Sequence, residues 1–79
     1  MISAYILIHI SPGNTDKILA EIRKIENIVK ISVVAGEFDI VARVQVKTLE
    51  RLLKATDKIQ MIKGVNKTTT QVIEKEITL

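Results

Sequence analysis

The sequence predicts an α+β fold in which two helices cover one face of a four-stranded antiparallel sheet, in the order β-α-β-β-α-β. Three observations predict it. Two alternating apolar segments meet at a Gly-Glu reversal, two other segments carry apolar residues at helical spacing, and both outer segments are rich in β-branched residues. Helices in these positions must share one face of the sheet, which is the ferredoxin-like arrangement.

Length and composition allow one small domain without disulfides. The 79 residues contain no cysteine and carry a net charge of +3, with twelve Lys and Arg spread among nine Asp and Glu. A chain of this size forms one domain with a small core, so we interpret residues 1–79 as a single domain. The longest unbroken apolar run, Ala4–Ile8, is too short for a membrane span and follows no basic leader. The sequence therefore predicts a cytoplasmic protein without a membrane partner.

The first half of the chain is predicted to form a strand, a helix and a second strand. Alternation over Ser3–Ser11 predicts a strand that Pro12-Gly13 ends. Asn14 or Thr15 is the expected N-cap of a helix that runs to about Asn27. The apolar residues that define these three elements are Ile2, Ala4, Ile6, Ile8 and Ile10, then Ile18, Leu19, Ile22 and Ile25, then Val29, Ile31, Val33 and Ala35.

The two central segments meet in a hairpin over Val33–Val46. Gly36-Glu37 is the predicted reversal, because glycine adopts positive φ without steric cost. The returning strand, Phe38–Lys47, alternates cleanly between an apolar and a mixed face. Asp39 points away from the apolar face at the mouth of the hairpin, and the residues alone favour a turn-stabilising role through side-chain to backbone hydrogen bonds.

The second half is predicted to form a helix and a last strand. Thr48 is the expected N-cap, Glu50 and Lys54 are spaced as an i,i+4 ion pair, and Lys63-Gly64 ends the helix. The β-branched segment Val65–Ile77 predicts a strand, and its run of threonines has two interpretations: a solvent-exposed edge, or hydroxyls that line a ligand. The predicted apolar stripe of the helix comprises Leu49, Leu52, Leu53, Thr56 and Ile59.

One face of the predicted sheet is left without a helix. Right-handed crossovers place the first and third strands in the middle of the sheet. The uncovered face is too apolar to be left in water, so we expect two sheets to pack face to face in a symmetric homodimer. The residues expected at this interface are Tyr5, Leu7, His9, Val34, Val41 and Arg43.

The sequence offers no set of catalytic or metal-binding residues. His9 is the only histidine, no Ser/His/Asp or Cys/His combination exists, and only Glu37 and Asp39 among the acids are expected near a shared site. Tyr5 is the only aromatic residue on the open face, and the glycines are isolated, so neither base stacking nor a phosphate loop is expected. The sequence thus predicts no enzyme, no metal site and no cofactor.

Together these features resemble the effector-binding (RAM) domain of the Lrp/AsnC transcription regulators. The resemblance rests on the element order, on Val-x-x-Gly-Glu-Phe-Asp at Val33–Asp39, and on Gly64-Val65 leading into Thr68 and Thr70. It implies a non-catalytic amino-acid-sensing module that forms dimers and larger, octamer-like assemblies. It also implies a ligand site between dimers, near the hairpin loop and the last strand.

Carried over residue by residue, the resemblance implies ligand contacts from the hairpin and the last strand. An Asp39 carboxylate can neutralise an α-ammonium group, while loop N–H groups and threonine hydroxyls can hold an α-carboxylate. The resemblance therefore favours a ligand role for Asp39. The implied site residues are Gly36, Glu37, Phe38, Asp39, Thr68 and Thr70.

The sequence departs from full-length Lrp/AsnC regulators because it begins at the first strand, without their helix-turn-helix. We therefore expect a stand-alone module without direct DNA binding, acting either as a separate sensor or by co-assembly with a full-length regulator. Two rivals stay open. An ACT-type amino-acid-binding domain would use Gly13, after the first strand, and a small dimeric ferredoxin-like enzyme would use His9 and Arg43.

Overall fold

The computed structural model describes all 79 residues and confirms the predicted fold class. The sheet is antiparallel throughout, with strand order β2-β3-β1-β4, so the first and third strands are central as expected. Both helices lie on one face of it. The elements are β1 Ile2–Ile10, α1 Thr15–Ile22, β2 Ile28–Val33, β3 Ile40–Val46, α2 Leu49–Gln60 and β4 Val65–Val72.

The core between the sheet and the helices is aliphatic and contains thirteen buried hydrophobic residues. The two central strands bury every second residue, as the alternation predicts, because only one of their faces is covered by helices. The strand residues in the core are Ala4, Ile6, Ile8, Ile10, Ile40, Ala42, Val44 and Val46. The helices contribute Ile18, Ile22, Leu52, Ala55 and Ile59.

Helix α1 is shorter than predicted, ending at Ile22 instead of near Asn27. The chain leaves the helix through turns, with the Ile25 amide donating to the Ile22 carbonyl oxygen at 3.0 Å. Ile25 still packs against the core from this turn, which explains why its spacing resembled a helix. Asn14 occupies the N-cap position, but its side chain makes no capping hydrogen bond.

Helix α2 begins as predicted, but its buried stripe is rotated from the predicted one. The Thr48 hydroxyl oxygen accepts a hydrogen bond from the Arg51 amide at 3.2 Å and caps the helix. Leu49 and Leu53 were predicted to face the core, yet they are 57% and 56% exposed, and Ala55 is buried instead. The predicted Glu50–Lys54 ion pair is also absent, since the ion pairs are Lys24–Glu21 and Arg43–Glu76.

The predicted alternation holds for Ile31 and Val33 of strand β2, which pair with the core residues Ala42 and Ile40, but it fails at Val29. Val29 and Val33 are 48% and 61% exposed, whereas Ile28 and Ile31 pack against the core. The pairing with β3 shifts register between Ile28 and Lys30, which inserts Val29 as a bulge and breaks the two-residue period. As an edge strand, β2 also extends beyond the cover that the short α1 provides.

The two connections from helix to strand have related geometry. Asn27 before β2 and Gly64 before β4 both adopt positive φ, of 73° and 100°. Each uses its carbonyl oxygen to accept a hydrogen bond from a neighbouring segment, from Gln45 at 3.0 Å and from Ser11 at 2.8 Å. Glycine is required only at the second position, because a Cβ on Gly64 would lie 2.9 Å from Cδ1 of the buried Ile18.

Strand β4 is the second edge of the sheet, which confirms the edge interpretation of the threonine segment. It ends at Val72, five residues before the predicted end at Ile77. The Ile73 amide continues the pairing with β1 through the Ser3 carbonyl oxygen, and further along the chain Glu76 reaches Arg43 of β3. Neither helix has the length and hydropathy needed to cross a bilayer.

Candidate functional site

The β2–β3 loop closes at its base and leaves its tip open to solvent. The Val34 amide donates to the Asp39 carbonyl oxygen at 2.9 Å, and Gly36 at the tip has a φ of 151°, as its predicted role in the reversal requires. Gly36 and Glu37 are exposed, and Phe38 is half-buried. No atom lies within 4 Å of the place where a Gly36 side chain would start, so the loop has free space around its tip.

Asp39 is fixed to the end of strand β1 by both its backbone and its side chain. Its amide donates to the Ile8 carbonyl oxygen at 2.9 Å, and its Oδ2 accepts from the Ile10 amide at 2.9 Å. The last regular β1–β3 pair is Ile8 with Ile40, so the carboxylate supplies one further hydrogen bond beyond the ladder. The side-chain to backbone bond expected of a turn former thus exists, but it reaches a different strand. Oδ1 makes no hydrogen bond within the chain.

Thr68 and Thr70 lie on the helix-covered side of strand β4. They pair with Ile8 and Ile6, whose side chains are in the core, so all four residues share one face of the sheet. Thr68 is half-buried, and its hydroxyl oxygen accepts from Gln60 Nε2 at 2.9 Å. Thr70 is exposed and its hydroxyl has no partner in the chain.

The single chain does not bring Asp39 and Thr70 together. Asp39 bonds to Ile10, while Thr70 pairs with Ile6, four residues earlier on the same strand. Four residues of a β-strand span about 13 Å, and β1 itself stands between the two side chains. The α-ammonium and α-carboxylate of one amino acid are attached to the same carbon, so one ligand cannot reach both residues within a subunit.

The surface grooves also keep the hairpin loop and strand β4 apart. A groove of about 240 Å³ beside β4 is lined by Gln60, Val65, Asn66, Lys67 and Thr68. No groove contains both a residue of the loop 36–39 and a residue of β4. The largest one, of about 640 Å³, lies between the two helices, away from all predicted site residues.

A polar cluster that the sequence analysis missed lies at the same end of β1. Asn66 accepts from the Ser11 hydroxyl through Oδ1 at 3.0 Å, and its Nδ2 donates to His9 Nδ1 at 3.3 Å. The register of β1 with β4 shifts between His9 and Ile10, and this irregularity brings the three side chains together. Because they are 55 and 57 residues apart, no local pattern could have indicated the cluster. Elsewhere, no group of three His, Asp or Glu side chains is placed to hold a metal ion.

The residues expected at the dimer interface form one surface on the open face. Leu7 pairs with Val41 and Tyr5 with Arg43 across the central strands. Leu7 and Val41 are half-buried, while Tyr5 and Val34 are 36% and 39% exposed without a partner. His9 lies exposed at the end of this surface. Among these residues Arg43 is the most covered polar one, and Glu76 accepts hydrogen bonds from its Nη2 through both carboxylate oxygens at 2.9 and 3.2 Å.

Comparison with known proteins places this fold and sequence among ligand-binding domains of regulators. Residues 3–78 match the family model of the Lrp/AsnC ligand binding domain. An HTH-type transcriptional regulator of Pyrococcus furiosus is 39% identical over 74 residues, which cover 89% of this chain and 49% of that protein. The chain spans about half the length of the curated relatives it matches.

Two solved structures are similar over the whole chain. The crystal structure of TTHA0845 from Thermus thermophilus has a TM-score of 0.91 and 26% identity, with complete coverage of both chains. The feast or famine regulatory protein Rv3291c from M. tuberculosis, solved in complex with L-methionine, has a TM-score of 0.84 and 25% identity. The match covers 100% of this chain and 54% of that one.

Proposed function

Because this chain belongs to the Lrp/AsnC ligand-binding domain family, we propose that it is a non-catalytic module that senses a free amino acid while assembled with copies of itself. A relative of 25% identity that was solved with L-methionine supports this ligand class. The match over residues 3–78 favours this family over an ACT-type domain. The side chains that an enzyme would need, His9 and Arg43, are engaged with Asn66 and Glu76.

The arrangement of Asp39 carries the proposal. Its Oδ2 is held by the Ile10 amide, so the carboxylate has a fixed position, and its Oδ1 is left as an acceptor beside an open loop. A carboxylate that is already oriented loses little conformational freedom when it accepts a hydrogen bond from an α-ammonium group. We therefore assign Asp39 as the ammonium partner, with Gly36, Glu37 and Phe38 shaping the rest of the loop.

We place the α-carboxylate of the ligand against a second subunit. Asp39 and Thr70 are too far apart within one chain to hold the same amino acid, but Thr70 is exposed at the free edge of β4 and has an unused hydroxyl. We propose that the hairpin loop of one subunit meets the Thr68–Thr70 edge of another, and that the ligand lies between them. Thr68, whose hydroxyl oxygen already accepts from Gln60, still has a proton to donate.

The surface of the chain offers two apolar areas for assembly. The open sheet face, with Leu7 and Val41 at its centre, suits a face-to-face homodimer because burial would remove these side chains from water on both subunits. Leu49 and Leu53 on α2, with Val72 on the adjoining β4, are about half exposed and suit contacts between dimers. Both helices of the chain pack on the sheet, so we assign no DNA contact to them. Co-assembly with a DNA-binding regulator would instead link ligand binding to transcription.

A thermal-shift screen of the twenty amino acids, at one protein concentration, tests the proposal. A ligand that binds only the folded state, present at 100 times its dissociation constant, stabilises that state by about 2.7 kcal/mol. We expect at least one amino acid to raise the melting temperature. Absence of any shift across the twenty would contradict the assigned ligand class.

Two matched variants of strand β4 test the proposed threonine contact with the amino acid found in the screen. Thr70→Val removes one hydroxyl with little change of shape, and we expect a loss of about 1 kcal/mol in binding by calorimetry. Thr69→Val makes the same chemical change one residue away, on the opposite face of β4, where its partner across the sheet is Leu7. Thr69→Val should leave ligand affinity unchanged. Equal losses in both variants would mean that β4 acts only through its stability.

A further inference from the structure

The largest groove of the chain, between the two helices, is lined mainly by charged side chains of one sign. Its volume is about 640 Å³, and Lys17 of α1, Lys58 of α2 and Lys63 of the connection to β4 all line it. A smaller groove of about 220 Å³ shares Lys58 and adds Arg51 and Lys54. The fold therefore gathers five basic side chains, which are far apart in the sequence, between the helices.

The basic side chains of the two grooves have no ion-pair partner in the chain. The ion pairs are Lys24–Glu21 and Arg43–Glu76, and neither includes one of these residues. Glu21 is the only acid that lines the larger groove, and its carboxylate already lies 3.3 Å from Lys24 Nζ. Three lysines and one glutamate give this groove a net charge of +2. The smaller groove likewise has a single acid, Glu26.

Helix stability explains only part of this arrangement. Lys58 lies in the last turn of α2 and Lys63 follows the helix, where a cation interacts favourably with the helix dipole. Lys17 lies in the first turn of α1, where the same dipole disfavours a positive charge. Asn14 also lines the groove, and its side chain makes no capping hydrogen bond, so its amide is free to donate. The groove thus contains donors and charges that the helices do not use.

We propose that the larger groove binds an oligophosphate, with Lys17, Lys58 and Lys63 around the phosphate groups. A lysine ammonium group binds phosphate as a point charge with three donors. A chain of two or three phosphates concentrates several negative charges in a small volume, which complements cations that come from three segments around one groove. The volume is that of a small-molecule site, about 300–1,000 Å³. Met61 and Ile62 line the same groove and offer an apolar contact to a nucleoside.

Calorimetric titration of the full chain with inorganic tripolyphosphate, at low and at physiological salt, tests the proposal. The triple variant Lys17→Gln/Lys58→Gln/Lys63→Gln should weaken binding at least about tenfold, because it removes three cations from the groove. These lysines are exposed, so the fold should be preserved, and circular dichroism checks this. Glu21→Gln should strengthen binding by about two- to fivefold, because it removes the only carboxylate of the groove and releases Lys24.

A second triple variant separates the groove from the overall charge of the protein. It makes the same Lys→Gln change at Lys30, Lys47 and Lys75, which line neither basic groove, and it removes the same number of charges from the net +3. Its affinity for tripolyphosphate should stay within about twofold of the parent, because exposed charges at a distance are screened. Equal losses in the two triple variants would mean that the phosphates respond to net charge alone, and the inference would be wrong.

ATP and adenosine distinguish the source of the phosphates. Tighter binding of ATP than of tripolyphosphate, with the difference lost in Met61→Ser, would assign the groove to a nucleotide. Equal or weaker binding of ATP would assign it to an inorganic phosphate chain, and adenosine should not bind in either case. The proposal is overturned if neither phosphate compound binds at physiological salt. It is also overturned if a glutamate oligopeptide binds more tightly than both, since the groove would then be a docking surface for an acidic protein segment.

Discussion

Two substitutions of Asp39 separate its structural contact from its proposed contact with the ligand. In Asp39→Asn, the side-chain amide oxygen can still accept the 2.9 Å hydrogen bond from the Ile10 amide, but the negative charge is lost. In Asp39→Ala, both the acceptor and the charge are lost. The first variant therefore tests binding with the fold preserved, and the second tests both.

The magnitudes follow from the two hydrogen bonds. Asp39→Ala leaves the part-buried Ile10 amide without a partner, which costs about 1–3 kcal/mol of folding free energy. For a domain of this size, each kcal/mol lowers the melting temperature by roughly 4–8 °C. Asp39→Asn should stay within about 1 kcal/mol of the parent, since a neutral acceptor remains. Both variants lose the charged bond to an α-ammonium group, about 1.5–3 kcal/mol, which corresponds to about 10- to 150-fold in affinity.

Urea denaturation at one protein concentration measures the stability of each variant, and calorimetry with the amino acid found in the screen measures affinity. We expect weakened binding in both variants and weakened folding only in Asp39→Ala. If Asp39→Asn binds the ligand as tightly as the parent, Asp39 only accepts the hydrogen bond from Ile10 at the end of β1, and the ammonium partner is another residue. If Asp39→Ala is as stable as the parent, the Ile10 bond does not contribute to folding as argued.

Three further predictions concern the fold, the interface and nucleic acid. Gly64→Ala should destabilise the chain by about 2–4 kcal/mol in urea denaturation, because alanine disfavours positive φ and its Cβ would overpack against Ile18. Gly13 also has positive φ but open space around it, so Gly13→Ala should cost only about 1–2 kcal/mol. Equal losses in the two variants would refute the packing argument. Leu7→Lys should convert the dimer into a monomer in light scattering, and an 8.8 kDa parent would show that no such dimer exists. The chain should show no sequence-specific DNA affinity at physiological salt in fluorescence anisotropy, because neither packed helix is free to enter a groove.

The sequence predicted the centre of this fold better than its edges. β1 and β3 have neighbours on both sides and helices over one face, so the period of two was enforced along their whole length. β2 has a free edge and a bulge at Val29, and no local sequence pattern predicts the position of a bulge. The prediction that Leu49 and Leu53 face the core was wrong because helical spacing alone does not determine which side of a leucine-rich helix is covered.

The candidate site was predictable only in its local part. The reversal at Gly36 was predicted correctly, since φ preference is a local property, but the loop spans residues 34–39 and β3 begins at Ile40, two residues after the predicted start at Phe38. The Asp39 contact with Ile10 joins residues 29 positions apart, and the cluster around Asn66 joins residues still more distant. Such contacts depend on strand register. The register of β1 with β4 shifts between His9 and Ile10, and the residue pattern did not predict this shift.

The position of Tyr5 gives the protein a built-in optical probe. The chain has one tyrosine and no tryptophan, and that tyrosine lies on the open face beside Arg43 while the core is wholly aliphatic. Tyr5 is 36% exposed in the single chain. The tyrosine absorbance and emission of the unmodified protein therefore arise from the open face, and the only other aromatic residue is Phe38 in the β2–β3 loop. A dilution series that follows this tyrosine signal would report contact between subunits without a label, because such contact changes the surroundings of Tyr5.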